Sequence, residues 1–274
     1  MRFDRNYQLT IGTGNRAVII RPPLQIVFNV TKSLDKSLNK MTLQVFNLNE
    51  SNRLATTKDS TKPDRMPIIL QVGYNGSLQT IFQGDIESGG AKREAADFVS
   101  TFNCLDGGHD FLYAFTSRTV RDKDTAISEI LKDTPYTKKG RITKQREITR
   151  PKVLVGNSLQ LVQESLDDDE DWFIDNEQLY IVKKDEVVSS YIPVVSATTG
   201  LINTPERKEK TVTFQTIMNP SIKLGGRVQL VSANAPHLND VYKVTAINYF
   251  GDYDGAVWTQ DISAKVVTNV RVIK

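Results

Sequence analysis

The chain has 274 residues, of which 39% are hydrophobic and 24% charged, the balance of a folded globular protein. Two histidines and a single cysteine, Cys104, exclude an intrachain disulfide and leave almost nothing from which to build a His/Cys zinc site. The net charge of +3 is too small for a dedicated nucleic-acid binder, and no apolar run reaches the roughly 20 residues that a membrane-spanning helix needs. The amino-terminal MRFDRNYQLTIG carries polar and acidic residues where an export signal has its apolar stretch, so none is expected.

The first third reads as strands. In residues 24–31, Leu24, Ile26, Phe28 and Val30 fall on one face. Residues 41–48 place Met41, Leu43 and Val45 on one face and Phe46 and Leu48 on the other. Residues 68–74 and 78–87 follow, joined by Asn75-Gly76, which tolerates the positive φ angles of a tight hairpin turn. In the second of these strands Leu78, Phe82 and Ile86 alternate with Gln79, Gln83 and Asp85, and in residues 97–105 Phe98, Phe102 and Cys104 share a face. This period-two pattern is that of half-buried antiparallel strands. Residues 49–62 break it with a short helix and a loop.

The middle changes character. Asp124 is placed to cap a helix with Ala126, Ile127, Ile130 and Leu131 at helical spacing. Asn157 and Gln160 resemble a capping box for a second helix with the stripe Leu159, Val162, Leu166; it should stop before the carboxylates at 167–171, which oppose the negative end of its dipole. Residues 172–175 and 178–182 read as a hairpin. Between the two helices, residues 138–152 are polar and basic and are expected to form an exposed, partner-contacting arm bearing Lys138, Lys139, Arg141, Lys144, Arg146, Arg150 and Lys152. Strands return at 211–217, 227–231, 241–250 and 256–265, with Gly225-Gly226 and Gly251-Asp252 at the turns. The order is thus β segment (1–118), small α/β insert (119–198), β segment (199–274).

Catalytic chemistry is poorly represented. The cluster Asp167, Asp168, Asp169, Glu170, Asp171 lacks the alternation and glycine of a calcium loop and reads as a solvated patch. His109-Asp110 after Gly107-Gly108 has no nucleophile elbow to serve and reads as a turn. Glu164 and Asp175 flank Trp172 too loosely to be a glycosidase pair. There is no Walker loop and no GxGxxG, and no cofactor or metal is expected. The basic arm has no aromatic residue to stack on bases. Trp172 and Trp258 sit in strand patterns that favour burial over a carbohydrate platform.

Five phrases together resemble the baseplate hub proteins of contractile-tailed bacteriophages: QVFNLNESN (44–52), PIILQVGYNGSLQTIFQGDI (67–86), TTGLINTP (198–205), NPSIKLGGRVQLVS (219–232) and YKVTAINYFGDYDGAVWTQDISA (242–264). They are spread over roughly half the chain, in the family's order. The resemblance implies a mainly β fold, with two tail-tube-like antiparallel β-barrels and a small α/β insert between them. It also implies a non-enzymatic virion protein of the tail baseplate, assembled in the host cytoplasm. Three copies would join a sixfold tube to a threefold spike, with two barrels per copy imitating six. The partners implied are itself, the central spike, tail-tube or tube-initiator proteins, other baseplate proteins and DNA in transit, with no membrane insertion. Candidate channel-facing positions are Gln79, Gln83, Asp85, Thr259 and Asp261. The competing readings are a cell-wall hydrolase, a carbohydrate-binding tail component, and the hub of a related contractile injection system.

Overall fold

The computed structural model describes residues 4–273 apart from 63, 122–124, 146, 148, 149 and 268–270. The first β segment comprises β1 (Arg5–Ile11), β2 (Val18–Ile20), β3 (Ile26–Ser33), β4 (Lys40–Phe46), α1 (Glu50–Thr56), β5 (Pro67–Tyr74), β6 (Ser77–Glu94) and β7 (Asp97–Leu105). Then come α2 (Gly108–Tyr113), β8 (Phe115–Val120), α3 (Ala126–Ile130), β9 (Lys138–Ile142), β10 (Lys152–Asn157), α4 (Ser158–Glu164), β11 (Glu170–Ile174), β12 (Gln178–Lys183) and β13 (Glu186–Val187). The remainder is β14 (Val194–Ser196), β15 (Glu206–Lys208), β16 (Thr211–Ile217), β17 (Arg227–Val231), β18 (Asp240–Asp252), β19 (Trp258–Val266) and β20 (Arg271–Val272).

The fold is mainly antiparallel β, as expected, and among the described residues neither β segment closes into a barrel of its own. Among the described residues they share one 13-stranded sheet in the order β15-β16-β19-β18-β3-β4-β7-β6-β5-β1-β2, with β17 and β14 branching from β18. The junction is β18 against β3, in register from Ala246 opposite Ser33 to Asp252 opposite Val27. A single apolar core runs through both segments, including Leu70, Val72, Phe82 and Phe102 from the first and Val228, Leu230, Val244 and Trp258 from the second, all buried. Pairing β3 with β18 gives each group a neighbour where it would otherwise end in an open edge.

The long β6 turns the sheet back on itself. Its first half pairs with β5 and its second half with β7, the change falling at Asp85. The strands β5, β1 and β2 thereby fold behind the apolar face of β3 and β4. Tyr7 of β1 donates its hydroxyl to the Leu24 carbonyl and packs edge-on to Tyr253, and Arg5 reaches the Gly255 carbonyl at 2.6 Å.

Local chemistry accounts for most elements. Asn75 and Gly76 take φ of 49° and 77°, both in the left-handed region, as the β5–β6 turn requires. The Asn157 carboxamide oxygen accepts from the backbone N–H of Leu159 (3.1 Å) and Gln160 (3.2 Å), while the Gln160 side chain reaches forward to Glu164 instead of back to the cap. The cap of α3 is Thr125, whose hydroxyl accepts from Ser128 N–H at 3.2 Å; Asp124 lies outside the described residues. Three patterns are broken by single backbone events. A bulge in the β5–β6 pairing after Leu70 turns both Ile81 and Phe82 into the core. Asn47, at φ 56°, reverses the chain so that Leu48 is buried rather than facing away from Val45. Gly107, at φ 69°, starts the helix α2 where a simple turn between strands was expected.

The α/β elements have their own core of Val120, Ile127, Ile130, Leu154, Leu159, Val162, Trp172 and Ile181, among others. They meet the sheet along a polar seam. Asp106, fully buried, accepts the backbone N–H groups of Asn176 (2.6 Å) and Glu177 (2.7 Å) in the β11–β12 turn. Asn39 donates to the Ile174 carbonyl at 2.6 Å, and Lys32, on the core side of β3, is neutralised by Asp175. Arg65 bridges Asp85 (2.7 Å) and Glu177, and Gln83 donates to Glu177 at 2.7 Å.

Two predictions follow from the packing of the sheet and seam. Phe82→Ala should cost roughly 3–5 kcal/mol, read by chemical denaturation, because a fully buried ring leaves a cavity that the sheet cannot collapse to fill. Burial pushes the Asp106 carboxyl up to about 7, against the opposing pull of Lys32. The native state therefore holds this proton through a pH range in which the unfolded chain has released it. The stability due to Asp106 is full below the ordinary carboxylate range and is lost as pH rises through about 7. Burial also raises Asp85 and Glu177, so the melting temperature should be higher at mildly acidic than at mildly alkaline pH. Asp106→Asn should flatten that profile; an equal slope in wild type and variant would contradict the assignment.

Candidate functional site

The solvent side of the path from β16 to β6 carries the side chains that alternate with the core residues. Across it the register sets polar residues opposite one another: Gln215 and Asp261, Asp261 and Asn248, Asn248 and Thr31. The band continues through Asn29 and Thr42, Thr42 and Asn103, and Asn103 and Ser88, with Gln44 opposite Thr101 beside it. Several of these residues are tied together: Asn203 donates to Gln215 at 3.1 Å, Gln215 to Asp261 at 2.9 Å, and Asn103 to Ser88 at 3.1 Å. In the middle rungs of this face the charged side chain is Asp261; Lys40, Lys92, Asp252 and Lys265 come at strand ends. The result is a broad polar surface built by strands of both β segments, largely uncharged in its middle rungs and carrying both signs of charge at its ends.

Of the five positions expected to line a channel, Thr259 and Asp261 are on this face. Gln79 is exposed on the half of β6 that pairs with β5, away from the front rungs. Gln83 and Asp85 are drawn into the seam by Glu177 and Arg65, and Asp85 is buried, so neither belongs to an open surface. The bulges of β6 cause this split, because they change which residues face which layer. The residues not singled out from the sequence are Asn29, Thr31, Thr42, Gln44, Thr101, Asn103 and Asn248. The alternation that marked Phe28, Val30, Met41 and Leu43 as core already put Asn29, Thr31 and Thr42 opposite.

The basic arm is shorter than expected. Lys138, Lys139 and Arg141 lie in β9, which pairs in parallel with β12, and Lys152 opens β10, which pairs with β8. Gly140 makes the first pairing possible, since a Cβ there would stand 2.7 Å from the Leu179 carbonyl oxygen. Arg141 donates to the carbonyls of Val188 (2.6 Å) and Ile273 (3.2 Å). Lys144 and Arg150 are exposed between the strands, and Arg146 lies outside the described residues.

The remaining candidates have structural partners. Asp110 is buried and its carboxylate accepts from the N–H groups of Tyr136 (3.0 Å) and Thr137 (2.6 Å), while His109 packs against the rings of Tyr113 and Tyr136. In the acidic run Glu170 is buried and bonds the Asp167 N–H and Gln145, and Asp169 pairs with Lys183 at 2.9 Å. Glu164 accepts from Gln160 on the surface of α4. Trp172 and Trp258 are both buried. Among the described residues no group of three or more His, Cys, Asp or Glu side chains is gathered to hold a metal ion, and no helix is long and apolar enough to cross a membrane.

The family model described as baseplate hub gp41 matches residues 7–250. The chain belongs to the baseplate hub gp41 family. No curated protein matches the chain. Among solved structures the hub chain is similar to the 43 kDa tail protein of prophage MuSo2 from Shewanella oneidensis, with a TM-score of 0.63, 9% identity, and coverage of 95% of this chain and 96% of that one. It is similar to a tail protein from Neisseria meningitidis MC58, with a TM-score of 0.58, 8% identity, and coverage of 95% and 96%. A third similarity is to the E. coli c3393 protein, a type VI secretion component described as resembling the T4 tail proteins gp27 and gp5; here the TM-score is 0.62 at 8% identity, covering 90% of this chain and 75% of that one. At such identities these likenesses establish the fold. The family assignment makes the hub a structural component of a phage tail.

Because the front face of the hub is solvated, Thr42→Lys and Asn103→Lys should change stability by no more than about 0.5 kcal/mol. Leu43→Lys, one residue along the same strand, puts a charge into the core and should prevent folding. Equal tolerance at positions 42 and 43, measured by soluble yield and denaturation, would reverse the assignment of faces.

Proposed function

We propose that three copies of this chain close into a ring at the centre of the baseplate of a contractile tail, with the neutral polar face turned to the lumen through which DNA leaves. The observation that carries this reading is the continuity of that face across strands of both β segments. Four strands of the second segment (β15, β16, β19, β18) abut four of the first (β3, β4, β7, β6) in one layer. Three copies present six such units, the number needed to meet a sixfold tube on one side while a threefold spike joins on the other. The lining chemistry suits passage: a basic wall would hold phosphates by counterion release, with a cost at every contact, whereas the middle rungs offer amides, hydroxyls and the Asp261 carboxylate, with lysines only at strand ends. In this arrangement the sheet strands β1 to β7 and β14 to β19 form the wall and the elements from α2 to β13 stand at one end of it. The partners are other copies of itself, the spike, tail-tube or tube-initiator proteins and further baseplate proteins, and assembly takes place in the host cytoplasm. The role is mechanical rather than enzymatic, since Asp110 and His109 are committed to holding α2 against residues 136 and 137.

Electron microscopy of the particle tests the ring directly. Three copies around the axis with Asn29, Thr42 and Asn248 at the lumen are expected; six copies, or a peripheral position, would sink the proposal. A functional test uses Thr42→Lys with Asn103→Lys: particles should assemble normally but release DNA more slowly, and added salt should restore the rate.

A further inference from the structure

One surface is left unexplained by the ring. The strands β8 and β10 form a two-stranded ribbon that pairs with no other strand among the described residues, so each has an open outer edge. Its inner face, with Thr116, Val120 and Leu154, closes over the core of the insert. Its outer face is set by the register, with Asn157 opposite Phe115, Val155 opposite Ser117 and Val153 opposite Thr119. Phe115 is 61% exposed, Val155 58% and Val153 65%, and the chain entering the ribbon adds Leu112 at 53% and Tyr113 at 51%. Open edges beside an apolar face are an aggregation hazard that native proteins cover.

In the ribbon strands and the positions that directly flank them, residues 115–121 and 150–157, the charged side chains are basic: Arg118, Arg121, Arg150 and Lys152. Arg118 is held by both oxygens of Asp133, at 2.7 and 2.6 Å. Among the described residues no carboxylate lies within ion-pair distance of Arg121, Arg150 or Lys152, so these exposed cations are open to an acidic occupant.

We propose that this ribbon is a docking surface for an extended, acidic segment of a different baseplate protein, which adds as a strand to an open edge of β8 or β10. Unpaired strand edges offer directional N–H and C=O groups, which an incoming strand satisfies and a lipid surface does not. The outer face alternates apolar residues with Ser117, Thr119 and Asn157, which suits the period-two side chains of an added strand better than the continuous apolar depth of a bilayer. The inference rests on the family's place in the baseplate and does not depend on the ring.

The test is photocrosslinking in assembled particles with Val155 replaced by p-benzoylphenylalanine, and the crosslinked peptide sequenced by mass spectrometry. The expected product joins this chain to a segment of another protein with alternating apolar residues and net negative charge. Arg150→Glu with Lys152→Glu should cut its yield roughly tenfold, with the thermal midpoint of the free protein unchanged. Products confined to a second copy of this chain, or an unchanged yield in the charge-reversed variant, overturn the proposal. So does sedimentation of free protein with phosphatidylcholine–phosphatidylglycerol vesicles that the same reversal abolishes, which would assign the surface to lipid. Particles that contain the chain but give no product from position 155 overturn the docking proposal alone; particles lacking the chain overturn the baseplate role as well.

Discussion

The pairing of β18 with β3 brings together residues 246–252 and 27–33, more than 200 positions apart in the chain. β3 is the last strand of its group, and β18 beyond its short pairing with β17 would otherwise offer an unpaired edge on that side. Their ladder makes one sheet from two segments, and it lets Phe28 meet Trp258 edge-on, with ring centroids 5.4 Å apart, within a shared core. It also aligns Thr31 with Asn248, so the polar band crosses the junction without interruption. Separate the strands and the core splits, the band breaks, and the insert loses the surface on which it sits.

The close approach at the junction has its own requirement. A Cβ at Gly251 would lie 2.2 Å from the Phe28 ring, so glycine here is what allows the ring to stand beneath β18. The seam with the insert follows a different logic. Its contacts are mostly buried charges and backbone hydrogen bonds rather than apolar packing, and such groups are worth little in net stability but cost a great deal when one partner is displaced. Lys32, Asp106 and Asp175 therefore fix where the β11–β12 turn sits more than they strengthen its attachment. A small apolar contact of Phe173, Val182, Leu224 and Ile273 adds to the same boundary.

The front and outer faces divide the polar surface into two kinds. The front carries mainly amides and hydroxyls, several of them hydrogen-bonded to one another or to Asp261. The β8–β10 ribbon carries apolar side chains within a basic rim, a surface suited to retaining a partner. Both arise from the same alternation of side chains along a strand; they differ in what fills the outward positions and in whether the strand edges are already paired.

From its sequence alone this protein determined whatever depends on neighbouring residues. The alternation of Ile26, Phe28 and Val30 with Asn29 and Thr31 fixed two faces, Asn75-Gly76 fixed a turn, and Asn157 fixed a helix start, because backbone period and φ preference act within a few residues. Ile26, Phe28, Val30, Met41, Leu43 and Val45, set on one face by this alternation, are all buried. The chain's phrases also resemble those of the hub family, because such short motifs are local in sequence. Tertiary structure decided what each face meets. Lys32 sits at a core position of β3 and is tolerated because Asp175 arrives from the insert. Asp85 reads as an exposed alternate of Phe82 and Ile86, yet bulges and Arg65 bury it. The basic residues of β9 read as an arm because the parallel partner β12 lies some 40 positions away. That the two β segments join edge to edge in one sheet was equally out of reach, since nothing local in residues 27–33 specifies β18 as their neighbour. Strand partners are chosen by the summed burial and hydrogen bonding of the whole chain, and that choice decides which residues become surface, seam or core.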